Sequence, residues 1–61
     1  MTTELQTILT RLETLRADIR AIALAAQNKR DHDTATELAE VDHKLESAED
    51  YITDFVLPYL K

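Results

Sequence analysis

Two apolar series in this 61-residue chain advance in steps of 3, 4, 3, 4, 3, 4. The first is Leu5, Ile8, Leu12, Leu15, Ile19, Ile22 and Ala26. The second is Leu38, Val41, Leu45, Ala48, Ile52, Phe55 and Tyr59. Heptad spacing sustained this long predicts a helix packed along a seam, so the chain is expected to form two helices. Leu9, Ala23 and Ala25 lie beside the first seam and widen its stripe. A wider stripe suits a bundle better than a two-stranded coiled coil.

The ends of the helices carry signals of their own. "TELQ" places Thr3 and Gln6 at capping-box spacing, and "TATE" does the same for Thr34 and Glu37, with Asp33 as a competing cap. The spacing predicts one domain over residues 1–61: helix 1 over about 3–28, a turn at 29–32, helix 2 over about 33–56 and an apolar tail at 57–61. Pro58 disfavours helical geometry at Leu57 and sets the expected end near Val56. A linker as short as "NKRDHD" forces an antiparallel hairpin, in which facing residues have numbers that add to about 62. Arg20 should then lie near Asp42, Arg16 near Glu46 or Glu49, and Arg11 near Asp50 and Tyr51, as exposed pairs that fix orientation.

Two helices alone cannot enclose a core, and a chain of this length buries only roughly 60% of the surface that its unfolded form exposes. The expected fold class is therefore all-α: an antiparallel two-helix hairpin that self-associates into a helical bundle, a four-helix bundle if it is a dimer. The core and self-association residues are expected to be Leu5, Ile8, Leu12, Leu15, Ile19, Ile22, Leu38, Val41, Leu45, Ile52 and Phe55. Leu57, Tyr59 and Leu60 are expected to cap the open end of the bundle or, if exposed, to be a partner surface.

Composition excludes several classes of activity. There is no cysteine, so no disulfide and no thiolate metal site, and no glycine to build a phosphate-cradling loop. The net charge is −5, and all of it falls in residues 34–61, where seven acids face Lys44 and Lys61. No basic field favours nucleic acid. The longest apolar run, "AIALAA", has six residues where a membrane span needs about 20. "MTTELQ" lacks the basic-then-apolar pattern of a signal peptide, and a cytoplasmic protein is expected.

"EVDH" gives Glu40 and His43 the E-x-x-H spacing of di-iron bundles, yet both fall off the seam and are expected on a solvated face. His32 and His43 lie too far apart along the hairpin to share an ion. No hydroxyl sits in a recognisable triad and no carboxylates pair on the seam, so neither enzyme activity nor a metal or cofactor is expected. Two clusters could hold an anion: Lys29 and Arg30 beside the start of helix 2, and Arg11 with Tyr51 at the opposite end.

"KLESAEDY", residues 44–51, resembles the second helix of the small helical-hairpin proteins with which phages sequester cyclic-nucleotide defence signals, the anti-CBASS and anti-Thoeris sponges. The matching residues are Lys44, Leu45, Glu46, Ala48 and Tyr51. That family usually has Trp where Tyr51 stands and an S-R-E-type opening to helix 2, where this chain reads "TATE". The resemblance implies a non-catalytic homo-oligomer that buries a nucleotide signal between protomers. Its expected contacts are Arg11, Lys29, Arg30, Lys44 and Tyr51. The rival expectation is a protein–protein interaction module, an inhibitor or adaptor built as a dimeric four-helix bundle, whose exposed acidic face or apolar tail engages a host protein.

Overall fold

The computed structural model describes residues 2–60. The described chain is all-helical: α1 (Thr2–Asn28), α2 (His32–Tyr51), one π-helical stretch (Ile52–Val56) and one 3₁₀ turn (Leu57–Tyr59). α1 and α2 lie antiparallel as a hairpin whose Cα trace measures 48 × 16 × 8 Å. α1 begins one residue before the expected Thr3 and ends at Asn28 as expected.

The turn closes without glycine. Arg30 adopts φ 61°, the left-handed conformation usually left to glycine at a helix end. That geometry aims the Arg30 N–H at the Gln27 carbonyl and the Asp31 N–H at the Ala26 carbonyl, both at 2.9 Å. Two carbonyls at the C-terminus of α1 are thereby satisfied in a Schellman motif. The same turn delivers Asp31 to the start of α2, where its carboxylate accepts from the Thr34 N–H at 3.2 Å. The cap is therefore Asp31, not the expected Asp33 or Thr34, and α2 starts at His32. Asp31 wins because the turn has already fixed its backbone outside the helix, whereas Asp33 and Thr34 lie within the first helical turn.

Burial corrects the expected seam. On α1 the inward residues are Leu5, Leu9, Leu12, Arg16, Ile19, Ala23 and Ala26. On α2 and its π extension they are Ala35, Leu38, Asp42, Leu45, Glu49, Ile52 and Val56. Thus Leu5, Leu12, Ile19, Leu38, Leu45 and Ile52 take the expected inward positions. Ile8, Leu15, Ile22, Val41 and Phe55 do not, and remain 41–57% exposed. The reason is angular. Two helices in contact use the stripe that faces one neighbour, whereas the sequence's 3–4 series is centred between that stripe and the next face of the helix. Among the described residues only Ala26 is buried, at 9% exposure.

Pro58 shapes the end of the chain. It has no N–H to give to a carbonyl four residues back, and its ring would crowd that carbonyl in a regular α-helix. The backbone widens instead, and the Leu57 N–H reaches the Ile52 carbonyl, five residues back. Leu57 is itself helical, at φ −58° and ψ −40°, contrary to the expectation for a residue before proline. The widened stretch advances the inward register by one residue. Leu57 and Leu60 become half-buried, while Tyr59, the expected seam residue, is 81% exposed. Lys61, the last residue of the expected tail, lies outside the described residues.

Candidate functional site

The middle of the inner seam is charged. Arg16 occupies an inward position and holds three carboxylates of α2. Its Nε donates to Asp42 Oδ1 at 2.8 Å, its Nη2 to Glu46 Oε2 at 2.8 Å and its Nη1 to Glu49 Oε2 at 3.3 Å. Arg20 Nη1 lies 3.6 Å from Asp42 Oδ1. The side chains of Arg16 and Glu49 are each 14% exposed and that of Asp42 18%. The pairs of Arg16 with Glu46 and Glu49, and of Arg20 with Asp42, follow the expected register. Two features differ from expectation. Arg16 is a seam residue and not a surface one, and it also reaches Asp42, one helical turn away from its level partner. No hydrogen bond or ion pair joins Arg11 to Asp50 or Tyr51 among the described residues.

These contacts shift proton affinities in the direction each partner requires. The hydrogen bond to Asp42 raises the pKa of Arg16 above its ordinary value, against the opposing effect of burial, and the charges of Asp42 and Glu49 add to it. The same hydrogen bond, with the charges of Arg16 and Arg20, holds Asp42 below the usual carboxylate range. Hydrogen bonds from Thr34 hold Asp31 below it as well. Glu49 Oε1 is buried with no hydrogen-bond partner, so the cluster is one donor short. Three carboxylates against two guanidinium groups leave it net negative. Its charges answer one another across the helix pair, and it fixes how α1 and α2 register.

The second feature is a face. The ion pairs set Ile8 level with Phe55, Leu15 level with Ala48, and Ile22 level with Val41. These six residues form one apolar stripe along a single side of the hairpin, and all six are exposed. Tyr51 lies beside it, its ring 4.9 Å from that of Phe55, centroid to centroid, at 34°. Helical spacing places Glu4, Arg11 and Asp18 along one outer edge of this face, and Glu37, Lys44 and Tyr51 along the other.

The five residues expected to contact a ligand fall into two groups. Arg11, Lys44 and Tyr51 share the edges of the apolar face, Arg11 roughly level with Tyr51. Lys29 and Arg30 lie in the turn, about 27 Å along α1 from Arg11 at 1.5 Å per residue. All five side chains are exposed. The N-terminus of α2, beside Lys29 and Arg30, already holds the carboxylate of Asp31. Glu40 and His43 are exposed, and no group of three metal-binding side chains gathers among the described residues. On the side of the hairpin away from the stripe, Arg20, Gln27, His32 and Thr36 border an open groove of about 420 Å³ beside Ala23 and Ala35. No helix among the described residues is long and apolar enough to cross a membrane.

Sequence reasoning missed the apolar face as a separate surface, because the 3–4 series merges it with the inner seam. The available signal was the position of Arg16, Asp42 and Glu49: charges at inward spacing shift the hairpin contact to one side of the apolar series. Comparison with protein-family models, with curated proteins and with solved structures finds no match.

Proposed function

We propose that this chain is a non-catalytic binding protein whose working surface is the apolar face of Ile8, Leu15, Ile22, Val41 and Phe55. One observation carries the reading: these five side chains are 41–57% exposed in a chain that places charges on its inner seam. Apolar surface left in water forgoes about 25 cal/mol per Å² of stabilisation, and a contiguous exposed stripe marks an interaction site. The groups with altered proton affinity, Arg16, Asp42 and Asp31, answer each other or cap a helix. The protein acts in the cytoplasm as an interaction module of the inhibitor or adaptor kind, and this face is where it associates.

A photoreactive benzoylphenylalanine at position 15 tests the reading. In cells it should form a defined covalent adduct, whereas the same group at position 13, on the other side of the hairpin, should form none. Equal adducts from both positions, or none from position 15, would exclude the face as the working surface.

A second reading is favoured by the placement of Arg11, Lys44 and Tyr51 along the edges of that face. Two cations and an aromatic ring at the rim of an apolar surface suit a small anionic nucleotide, with the ring stacking a base and the cations holding phosphate. The chain would then sequester a cyclic-nucleotide signal, as do the phage sponge hairpins that "KLESAEDY" resembles. Millimolar cyclic mono- and dinucleotides should raise the melting temperature by mass action, and Arg11→Ala and Tyr51→Ala should abolish the rise. A panel that leaves the melting temperature unchanged ends this reading.

A further inference from the structure

We infer that the apolar face is covered by a second copy of this chain, packed face to face with the two turns at opposite ends of the dimer. This rests on the reading of that face as the working surface and names what occupies it.

Four observations bear on the occupant. First, the hairpin alone has almost no interior: Ala26 is the only buried residue among those described. Leu5, Leu12, Ile19, Leu38, Leu45 and Ile52 are only half-covered by the opposite helix. When two hairpins stack through the stripe, these residues and the exposed Ile8, Leu15, Ile22, Val41 and Phe55 all point toward one axis. The 3–4 series from Leu5 to Ile22 and from Leu38 to Phe55 is then used, which a single hairpin does not achieve.

Second, the footprint fits. A face of 48 by 16 Å is of the size, about 800 Å² per partner, that standard protein interfaces bury. Third, the edge charges are complementary to their own copies. Arg11, Asp18 and Lys44 have no ion pair among the described residues, whereas the charges at the inner seam are paired. With Leu15 on the dyad, Arg11 meets Asp18 of the second copy and Lys44 meets the ring of Tyr51 of the second copy.

Fourth, side-chain volume chooses the orientation, which charge alone does not. With both turns at one end, Asp18 would meet Lys44 of the second copy, an equally favourable pair. The layers, however, would be unequal. Two Phe55 and two Ile8 would share one end, and two Val41 and two Ile22 the other, forcing the hairpins apart at one end or leaving a void at the other. With the turns at opposite ends, each outer layer holds one Phe55, one Val41, one Ile8 and one Ile22. The central layer holds two Leu15 and two Ala48. The two outer layers then match each other in volume, which holds both ends of the hairpins at one separation.

The test uses the full chain. Sedimentation equilibrium should give twice the 7.0 kDa chain mass. A nitroxide attached through Lys29→Cys, in the exposed turn, should then report an inter-label distance of about 40 Å by double electron–electron resonance, given 1.5 Å per residue from the dyad at Leu15. Turns at one end would bring the labels to within about 20 Å, because neighbouring helix axes lie 8–10 Å apart. A monomer at about 100 μM, a higher oligomer, or the short distance would each overturn the inference. The benzoylphenylalanine at position 15 separates this failure from failure of the underlying reading. An adduct to a different protein keeps the face and removes the second copy, an adduct to the chain itself supports both, and no adduct removes both.

Discussion

Inside the hairpin, Arg16, Asp42 and Glu49 occupy inward positions, and Arg16 donates to both carboxylates across the helix pair. On the adjacent face, Ile8, Leu15, Ile22, Val41, Ala48 and Phe55 run the same length with no charged residue in line. One contact is held at its centre by directional charge, the other offers apolar surface alone. The difference separates two tasks. Ion pairs of fixed geometry specify how α1 meets α2, because any other register would leave charges partly buried and unpaired. An apolar stripe fixes no register by directional bonds, only by side-chain volume, but it supplies the area from which association draws its free energy. This chain puts specificity in the inner contact and driving force in the outer one.

The contrast can be broken from either side. Leu15→Glu should have the largest effect: a carboxylate at the dyad would face its own copy in an apolar layer, weakening association by at least about 100-fold. Sedimentation should read a monomer at concentrations where the natural chain is paired, and Leu24→Glu, 58% exposed on the groove side, should leave the mass unchanged. Arg16→Ala comes next, since it leaves Glu49 without its cation and Asp42 with only the longer contact to Arg20. The melting temperature should fall on the order of 10 °C, the scale expected when a short chain loses a central contact. Replacing Arg16, Asp42 and Glu49 together by leucine should restore the melting temperature while giving more than one set of amide resonances, because the charges that choose one register are gone.

The seam also carries a pH signature. Asp42 has its pKa held below the ordinary 3.8 by the hydrogen bond from Arg16. A depressed folded-state pKa contributes stability that is fully present above the unfolded value and is lost as pH falls through the folded one. The natural chain should therefore melt at a steady temperature from pH 7 to about 5, then progressively lower below about 4. Arg16→Ala should flatten that acid limb, as read by circular dichroism melts across the range. The smallest change lies in the turn. Arg30 holds a positive φ that costs a residue with a side chain about 1–2 kcal/mol, so Arg30→Gly should raise stability by about 0.5–1 kcal/mol once the greater freedom of unfolded glycine is deducted. Urea unfolding midpoints would measure it.

Much of this was legible in the residues. The 3–4 series marked both helices, the short linker set their direction, and the resulting register anticipated Arg16 with Glu46 and Glu49 and Arg20 with Asp42. The inner seam was not legible from apolar residues, because Leu5, Leu12 and Ile19 serve both the hairpin contact and the axis beyond it, while Arg16 hides the third side of the stripe. The Asp31 cap was obscured by Asp33 and Thr34, equally good caps in composition. Only the left-handed turn at Arg30, unannounced in a chain without glycine, decides among them. Pro58 announced a disturbance, but not that the backbone would widen at Ile52–Val56 and turn Leu57 and Leu60 inward in place of Tyr59.

The most direct test of the division between the two contacts is the melting temperature of the unmodified chain as a function of its own concentration. If the outer stripe is buried by association, melting is coupled to mass action, and the midpoint should climb steadily from about 1 μM to about 1 mM. A midpoint that stays fixed over that range would mean that the hairpin is complete alone and that the apolar face contributes nothing to its stability.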